Sequence, residues 1–238
     1  MNYYFITGTS KGLGKAITEQ LLKDENNFVF GYSRNNVITH KNYYHKLIDL
    51  NNLEALKKIQ FPVLNNPEKV VLINNAGSVG DINHVGEIDN DQIIACYNIN
   101  LIAPAIITNN FVSAYKNISN EKLIINISSG AGKSAIDGWS TYCSAKSGID
   151  MFSKVFAEEI KIDNTNFKVL SLAPGIIDTG MQVQIRNSKV NGFSNLDRFI
   201  EYKKNGDLAS AEETANKVIR FVSENELQAE TICSVRDL

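Results

Sequence analysis

Seven short runs set the limits on what this chain can fold into: YYFIT (3–7), FVFGY (28–32), HKLIDL (45–50), KVVLIN (69–74), KLIINIS (122–128), FKVLSLA (167–173) and ETICSV (230–235). Each has strand length, and several are apolar at nearly every position rather than at alternate ones. Strands of that kind need both faces covered, the condition met by a parallel sheet flanked by helices. The segments between them supply the helices: KAITEQLLK, DQIIACYNINLIAPAIITNNFVSAY and AKSGIDMFSKVFAEEI carry apolar residues at helical spacing. The alternation runs from end to end without a Pro-, Gly- or Ser-rich linker and without an internal repeat. One domain, 1–238, is therefore predicted, an α/β fold with a doubly wound parallel sheet of about seven strands. Ligands of such sheets bind at the carboxyl ends of the strands.

Composition narrows the function. The 238 residues are 43% hydrophobic and 21% charged with four prolines, ample for a packed core. A net charge of −2 with mixed signs offers no basic stripe for nucleic acid and no polybasic segment for a membrane. The apolar runs are strand-sized, and MNYYFITGTS lacks the basic flank and apolar core of a signal peptide, so a cytosolic protein is expected. Cys96, Cys143 and Cys233 are widely spaced and odd in number, as reduced thiols are, and the Asn-x-Ser triplets at Asn117 and Asn126 then read as coincidences. His40, His45 and His84 are scattered, with no carboxylate or cysteine at ligand spacing. They read as surface or loop residues, no metal site is expected, and no histidine stands near a motif to serve a hydrolytic serine. Chemistry on a small molecule remains.

The first strand runs straight into TGTSKGLG (7–14) and then into a helix. Gly8, Gly12 and Gly14 allow backbone approaches that a Cβ forbids, so the N–H groups around Ser10, Lys11 and Leu13 can face a pyrophosphate. The spacing is G-x-x-x-G-x-G, and such a turn alone can also be an ordinary strand-to-helix connection. Its place after strand one and before helix one is that of the phosphate loop in a Rossmann-type fold. At the end of strand two an NAD enzyme usually offers a carboxylate to the ribose. Here FVFGYSRNN offers Ser33 and Arg34 and no acid. Arg34 and Lys11 can pair with a 2′-phosphate, although either alone can be a solvated surface cation. Together, with the acid missing, they point to NADP(H). Asp49 and Leu50, after strand three, fall where the adenine would end, and an aspartate there is equally a turn residue.

Strand four ends in NNAG, whose Asn75, Ala76 and Gly77 let a cofactor pass close, and strand five ends at Ser128 and Ser129. Tyr142 follows Ser129 by thirteen residues, room for a loop to return the chain to a helix. Tyr142 and Lys146 lie four apart on one helix face. Reduction of a carbonyl places negative charge on oxygen, which calls for aimed donors and a proton. Tyr142 can give the proton and Ser129 a second donor. A phenol titrates near ~10, so the expectation is that the Lys146 ammonium draws it down.

TGTSKGLG, NNAG, the NIN of YNINL, a serine thirteen residues before YCSAK, and APGIIDT after strand six resemble the short-chain dehydrogenase/reductase family in order and spacing, from residue 7 to about 182. The resemblance implies a catalytic tetrad of Asn100, Ser129, Tyr142 and Lys146, with Asn100 holding a water that links Lys146 to solvent. It implies a nicotinamide pocket at Pro174, Gly175, Ile177, Thr179 and Met181, with Tyr142 and Lys146 also touching the cofactor. It further implies a homodimer or homotetramer packed through the helices that contain residues 90–115 and 142–162. Within the family, GWSTYCSAKSGIDM, APGIIDT through MQVQIR, and KKNGDLAS are most similar to sepiapterin reductases and bacterial benzil reductases.

Residues 180–209 are long enough for a lid over the substrate. Met181, Val183, Ile185 and Phe193, with Trp139, suggest an apolar, aromatic-tolerant pocket, and the same residues can simply pack a lid onto the body. Ser129, Trp139, Tyr142, Gly175, Met181 and Ile185 are the candidate substrate contacts. Sepiapterin reductases carry an aspartate in the last strand for the pterin, where ETICSVRDL offers Ser234, with Asp237 out of register. The expected activity is thus an NADPH-dependent carbonyl reductase acting on an α-diketone or a related aromatic or apolar carbonyl. The alternatives are an NAD(P)-linked alcohol dehydrogenase in the oxidative direction and a non-catalytic cofactor-sensing or scaffold protein.

Overall fold

The seven apolar runs form one sheet in a computed structural model that describes residues 1–118, 120–223 and 230–236. The strands are β1 (Asn2–Thr7), β2 (Asn27–Ser33), β3 (Tyr43–Leu47), β4 (Lys69–Asn74), β5 (Glu121–Ile127), β6 (Phe167–Ala173) and β7 (Ile232–Ser234), in the order β3-β2-β1-β4-β5-β6-β7. All six pairings are parallel. The chain winds one way from β1 and the other way from β4, so a crevice opens between the carboxyl ends of these two neighbours.

Alternate residues of each strand feed opposite cores, which is why near-continuous apolar runs were required. Tyr4, Ile6, Val71 and Ile73 pack with α1 (Gly12–Leu21) and α8 (Ala211–Ser223) on one face. Phe5, Val70, Leu72 and Ile124 pack on the other with α2 (Leu53–Lys57) and α4 (Ala103–Tyr115). There Phe5 stacks on Phe30 at 4.7 Å and meets Phe61 and Phe111 edge-on. Full burial of side chains such as Phe5 and Leu72 stabilises by about 1.5–3 kcal/mol each.

Several boundaries differ from the sequence expectation. β3 lies at 43–47 rather than 45–50, because its partner β2 ends at Ser33 opposite Leu47, and the Asp49 carboxylate then accepts from Asn51 N at 2.9 Å to form a turn. β7 is three residues long because β6 offers it only Ser171–Ala173. The long helical pattern 91–115 is α3 (Asn90–Tyr97), a five-residue π turn (Asn98–Ile102) and α4, in unbroken succession. Residues 180–209 form α6 (Gly180–Arg186) and α7 (Leu196–Asn205), joined by a 3-10 turn. Among the described residues, no helix is long and apolar enough to cross a membrane.

Helix α5 (Ser140–Ile162) brings the candidate chemistry to the sheet. Its buried stripe is Thr141, Tyr142, Ala145, Lys146, Ile149, Asp150 and Ser153. Those positions recur at helical spacing, yet five of the seven are polar or ionisable. Lysine and aspartate are almost never buried without a partner, so this face is built for something besides packing.

Candidate active site

At the crevice, the ends of β1 and β4 are laced together. Thr7 Oγ1 accepts from Asn75 N at 3.0 Å and Ala76 N at 3.1 Å, and Asn75 Nδ2 donates to Thr7 O at 2.9 Å. Gly8 takes φ +78°, and a Cβ on Gly14 would stand 2.3 Å from Asn75 Nδ2 and 2.5 Å from Gly8 O. Only glycine fits there. Lys11, at the cap of α1, makes no side-chain capping bond, so the first N–H groups of the helix are left for a ligand. Leu13 turns inward to the core, Ser10 is half-buried, and Thr179 Cγ2 lies across the loop, 3.3 Å from where a Gly12 Cβ would be.

At the end of β2, Ser33 is buried and bonded to its neighbours, whereas the Arg34 and Lys11 side chains are exposed. Neither cation makes an ion pair among the described residues. Asp49 serves the turn to Asn51, and Leu50 is buried in the core.

The catalytic candidates converge at the ends of β4 and β5. Ser129 is extended, accepts from Ala131 N at 3.2 Å and lies near enough to the Tyr142 phenol to affect its proton affinity. Lys146 Nζ donates to Ile127 O at 2.8 Å and stands 5.7 Å from the Tyr142 ring centre. Asn100, in the π turn, donates through Nδ2 to Ser78 O and Cys96 O, both at 2.8 Å, and its Oδ1 accepts from Ser78 N at 3.2 Å. Gly77 lies between Asn100 and Lys146: its Cβ would be 3.1 Å from Asn100 Oδ1 and 3.7 Å from Lys146 Nζ. The donor set of Tyr142, Lys146 and Ser129, and the glycine gaps at 8, 14 and 77, fit a nicotinamide dinucleotide.

Electrostatics correct one expectation. Burial pushes the Tyr142 phenol up to about 12, with the nearby Ser129 hydroxyl opposing and Cys96 and Cys143 adding to the rise. Lys146 does not draw the phenol below its ordinary value here. Lys146 is itself pushed down to about 8 by burial, against the favourable charge of Asp150 one turn on, whose Oδ1 accepts from Ser171 Oγ at 2.5 Å. Desolvation outweighs charge at both groups, and burial of this depth is not written in the spacing Tyr-x-x-x-Lys. The Asn100 side-chain amide is committed to backbone at Ser78 and Cys96.

Residues 180–209 contribute to an aromatic cluster beside Tyr142. Trp139, at the start of α5, stacks on Phe193 and meets Tyr142 edge-on at 5.6 Å. Ile185 and Phe199 are buried in the same cluster, and Met181 packs against it. Asp137 ties this segment to the start of α5, accepting from Ser194 N at 2.6 Å, Ser194 Oγ at 2.8 Å and Asn195 Nδ2 at 3.0 Å. Val183 is half exposed and lies outside the cluster, because it falls on the outer face of α6. Trp139 Nε1 and Gln182 Oε1 are buried without a partner. Pro174 and Gly175 make the turn after β6, with Gly175 at φ +79°; Ile177 is buried and bridges to Ala209. Ser234 pairs with Ala173, and Asp237 lies outside the described residues.

Sequence reasoning missed Thr7, Thr9, Tyr43, His45, Asp137 and Asp150. The signal for His45 was strand periodicity: residues 43 and 45 share a face, opposite Val29 and Gly31 of β2. It is neither a loop residue nor free at the surface, for its Nε2 lies 2.9 Å from Ser33 Oγ. Asn126, in one of the two Asn-x-Ser triplets, is buried in β5 and bonded to Asn74 and Ser153.

Comparison with known proteins agrees with this arrangement. The short chain dehydrogenase family model matches residues 2–190, and the chain belongs to that family. It is 41% identical to a benzil reductase ((S)-benzoin forming) of Bacillus cereus over 95% of each chain, and 36% identical to one of Bacillus subtilis over 93% of each. A sepiapterin reductase of Xenopus tropicalis is 30% identical over 64% of this chain and 58% of its own. Among solved structures, a short chain dehydrogenase/reductase of Saccharomyces cerevisiae superposes with a TM-score of 0.85 at 22% identity, covering 100% of this chain and 97% of the other. A 4-hydroxyisoleucine dehydrogenase complexed with NADH scores 0.78 at 22% identity, covering 98% and 96%. An actinorhodin polyketide ketoreductase with NADPH scores 0.79 at 20% identity, covering 98% and 94%.

Proposed function

We propose that this chain is an NADPH-dependent carbonyl reductase whose substrate is an α-diketone or a related aromatic or apolar carbonyl compound. The observation that carries the reading is the meeting of Ser129, Tyr142 and Lys146 beside Gly77 at the carboxyl edge of the sheet. The two Bacillus relatives, matched over nearly their full length, support the substrate class, and the aromatic cluster under the lid suits it. The exposed Arg34 and Lys11, with no acid at the end of β2, support NADPH over NADH.

Bound NADPH supplies the hydride. Tyr142 gives its proton to the carbonyl oxygen, and Ser129 bonds the same oxygen as charge builds there. A phenol held near 12 keeps its proton at neutral pH and releases it to an alkoxide, the conjugate base of a weaker acid. Lys146 holds the ribose, and Asn100 fixes the Ser78 backbone next to Gly77. Thr179 and the turn at Pro174 and Gly175 orient the nicotinamide; Met181, Trp139 and Ile185 border the substrate. Ile94, Ile102, Met151, Val155 and Ile162 are exposed on α3, the π turn and α5, as a homodimer or homotetramer packed through these helices requires. A cytosolic location fits the free thiols of Cys96, Cys143 and Cys233.

The test is NADPH oxidation against benzil, other α-diketones, sepiapterin and simple monoketones. Benzil and its analogues are expected to give the highest kcat/KM. A ranking led by sepiapterin or by simple ketones would overturn the substrate class, and absence of turnover on the whole panel would overturn the reductase.

A further inference from the structure

The carboxyl ends of β1, β2 and β3 carry a second set of bonded side chains that the proposed chemistry does not use. Ser33, only 6% exposed, lies at its centre. Its hydroxyl has one proton, which goes to the Asn35 carbonyl at 2.8 Å, because a carbonyl can only accept. His45 Nε2 lies 2.9 Å from the same hydroxyl oxygen and must therefore be the donor in that bond. Thr9 Oγ1 approaches Ser33 Oγ at 3.3 Å and Tyr43 Oη at 3.0 Å. This network holds the imidazole with its proton on Nε2. Nδ1 has no hydrogen-bond partner among the described residues, so it is free to take a second proton.

The groups around the imidazole decide when that proton arrives. On its own strand Tyr43 is the neighbour, with ring centres 6.3 Å apart. From β2 come Ser33 and, directly after it, Arg34; from the loop after β1 come Thr9 and, two residues on, Lys11. No carboxylate of the described residues forms an ion pair with His45. Burial lowers its proton affinity, and the Ser33 backbone only partly restores it. Burial thus disfavours the charged imidazole.

We propose that His45 is a specificity-determining residue for the cofactor: it takes a proton from solvent when a 2′-phosphate settles against Ser33 and Arg34, adding a positive charge that NADP(H) meets and NAD(H) does not. This rests on the NADP(H) reading above and deepens it. A phosphate beside Ser33 favours the charged imidazole directly and strengthens the Nε2–H bond that orders Ser33. The sign follows from linkage. His45 is raised in the complex, so the added affinity is complete below the pKa of the free protein and fades as pH rises through the pKa of the complex. The phosphate loses charge below about 6 by its own titration, which makes comparison with a variant necessary.

The chain has three histidines, so their ring signals can be followed by NMR in the wild-type protein alone, with NADP+ and with NAD+. The His45 midpoint is expected to rise by about one unit with NADP+ and to stay in place with NAD+, and a unit corresponds to about tenfold in affinity. By calorimetry, His45→Gln, which keeps an N–H for Ser33 but no charge, should weaken NADP+ about tenfold at neutral pH while changing NAD+ less than about twofold. An unmoved midpoint, or equal weakening of both cofactors, would overturn the proposal, and the NMR titration decides even if the variant folds poorly. A wild-type protein that binds NADP+ and NAD+ alike would instead refute the NADP(H) reading, and this inference with it. Retained NADP+ preference with a silent His45 would remove this inference alone.

Discussion

Trp139 and Phe193 lie stacked, 5.3 Å between ring centres and 10° between planes, one ring from the body and the other from the lid. Phe193 is fully buried, so Phe193→Ala leaves a cavity between the two parts, with a cost of about 3 kcal/mol or more. Faster proteolytic nicking within 187–205 and a lower kcat/KM for diketones are expected, with NADPH affinity retained. Unchanged nicking and turnover would show that the stack does not hold the lid.

Tyr142→Phe removes the proton donor and keeps the ring against Trp139. Turnover should fall about 10²–10⁴-fold, while NADPH titration by fluorescence gives an unchanged Kd. Retained turnover would assign the proton to another group.

Arg34→Asp places a carboxylate where a 2′-phosphate is expected. NADPH should weaken by about a hundredfold through loss of a charge-assisted bond and added repulsion, and NADH should be little affected. Equal effects on both cofactors would mean that Arg34 lies away from the phosphate.

Lys146 gives a pH signature. In the unfolded chain its ammonium keeps its proton to about 10.4, whereas in the fold burial has pushed it down to about 8. Below 8 both states are protonated and the burial penalty is fully present. From 8 towards 10 the unfolded state binds more protons, so this group's contribution to stability rises with pH. Urea denaturation of wild type against Lys146→Met at pH 7.5 and pH 9.5 should show wild type gaining about 2 kcal/mol on the variant. Tyr142, raised to about 12, stays protonated in the fold throughout this window. The ammonium that holds the ribose is lost across the same range, so NADPH affinity should fall above about pH 8 as stability rises.

Met151 and Val155 stand one turn apart and half exposed on α5. Met151→Glu with Val155→Glu should shift the protein to a smaller species in light scattering without unfolding it. A mass unchanged from wild type would place the interface elsewhere.

The sequence carried the sheet well because KVVLIN and FKVLSLA are apolar on both faces, and their bounds as β4 and β6 are those of the runs themselves. It carried the convergence of Ser129, Tyr142 and Lys146 because turn position and helical spacing are local properties. It did not carry the protonation of Tyr142, which depends on how completely Trp139 and the lid exclude water. Nor did it carry His45, since one imidazole on an edge strand gains meaning only when β2 brings Ser33 to it. The ends of β3 and β7 were misjudged for a related reason: a strand extends only as far as its neighbour does.

The π turn at Asn98–Ile102 has a consequence for insertions and deletions. Each residue of a helix advances the next by about 100°, and a π turn holds one residue more than the α-helical ladder around it. Removing any one residue from 98–102 would let α3 and α4 fuse into a continuous α-helix, better bonded along its backbone. In that smoother helix α3 and α4 would stay nearly in phase, because the wide turn now absorbs its extra residue, and the change would fall on residues 98–102 themselves. With Phe111 and Tyr115 keeping their seats in the core, the position of Asn100 would change, and its amide would lose the wide turn that now aims it at the Ser78 and Cys96 carbonyls. A shortened chain of this kind would be more regular in outline and blind at its catalytic edge.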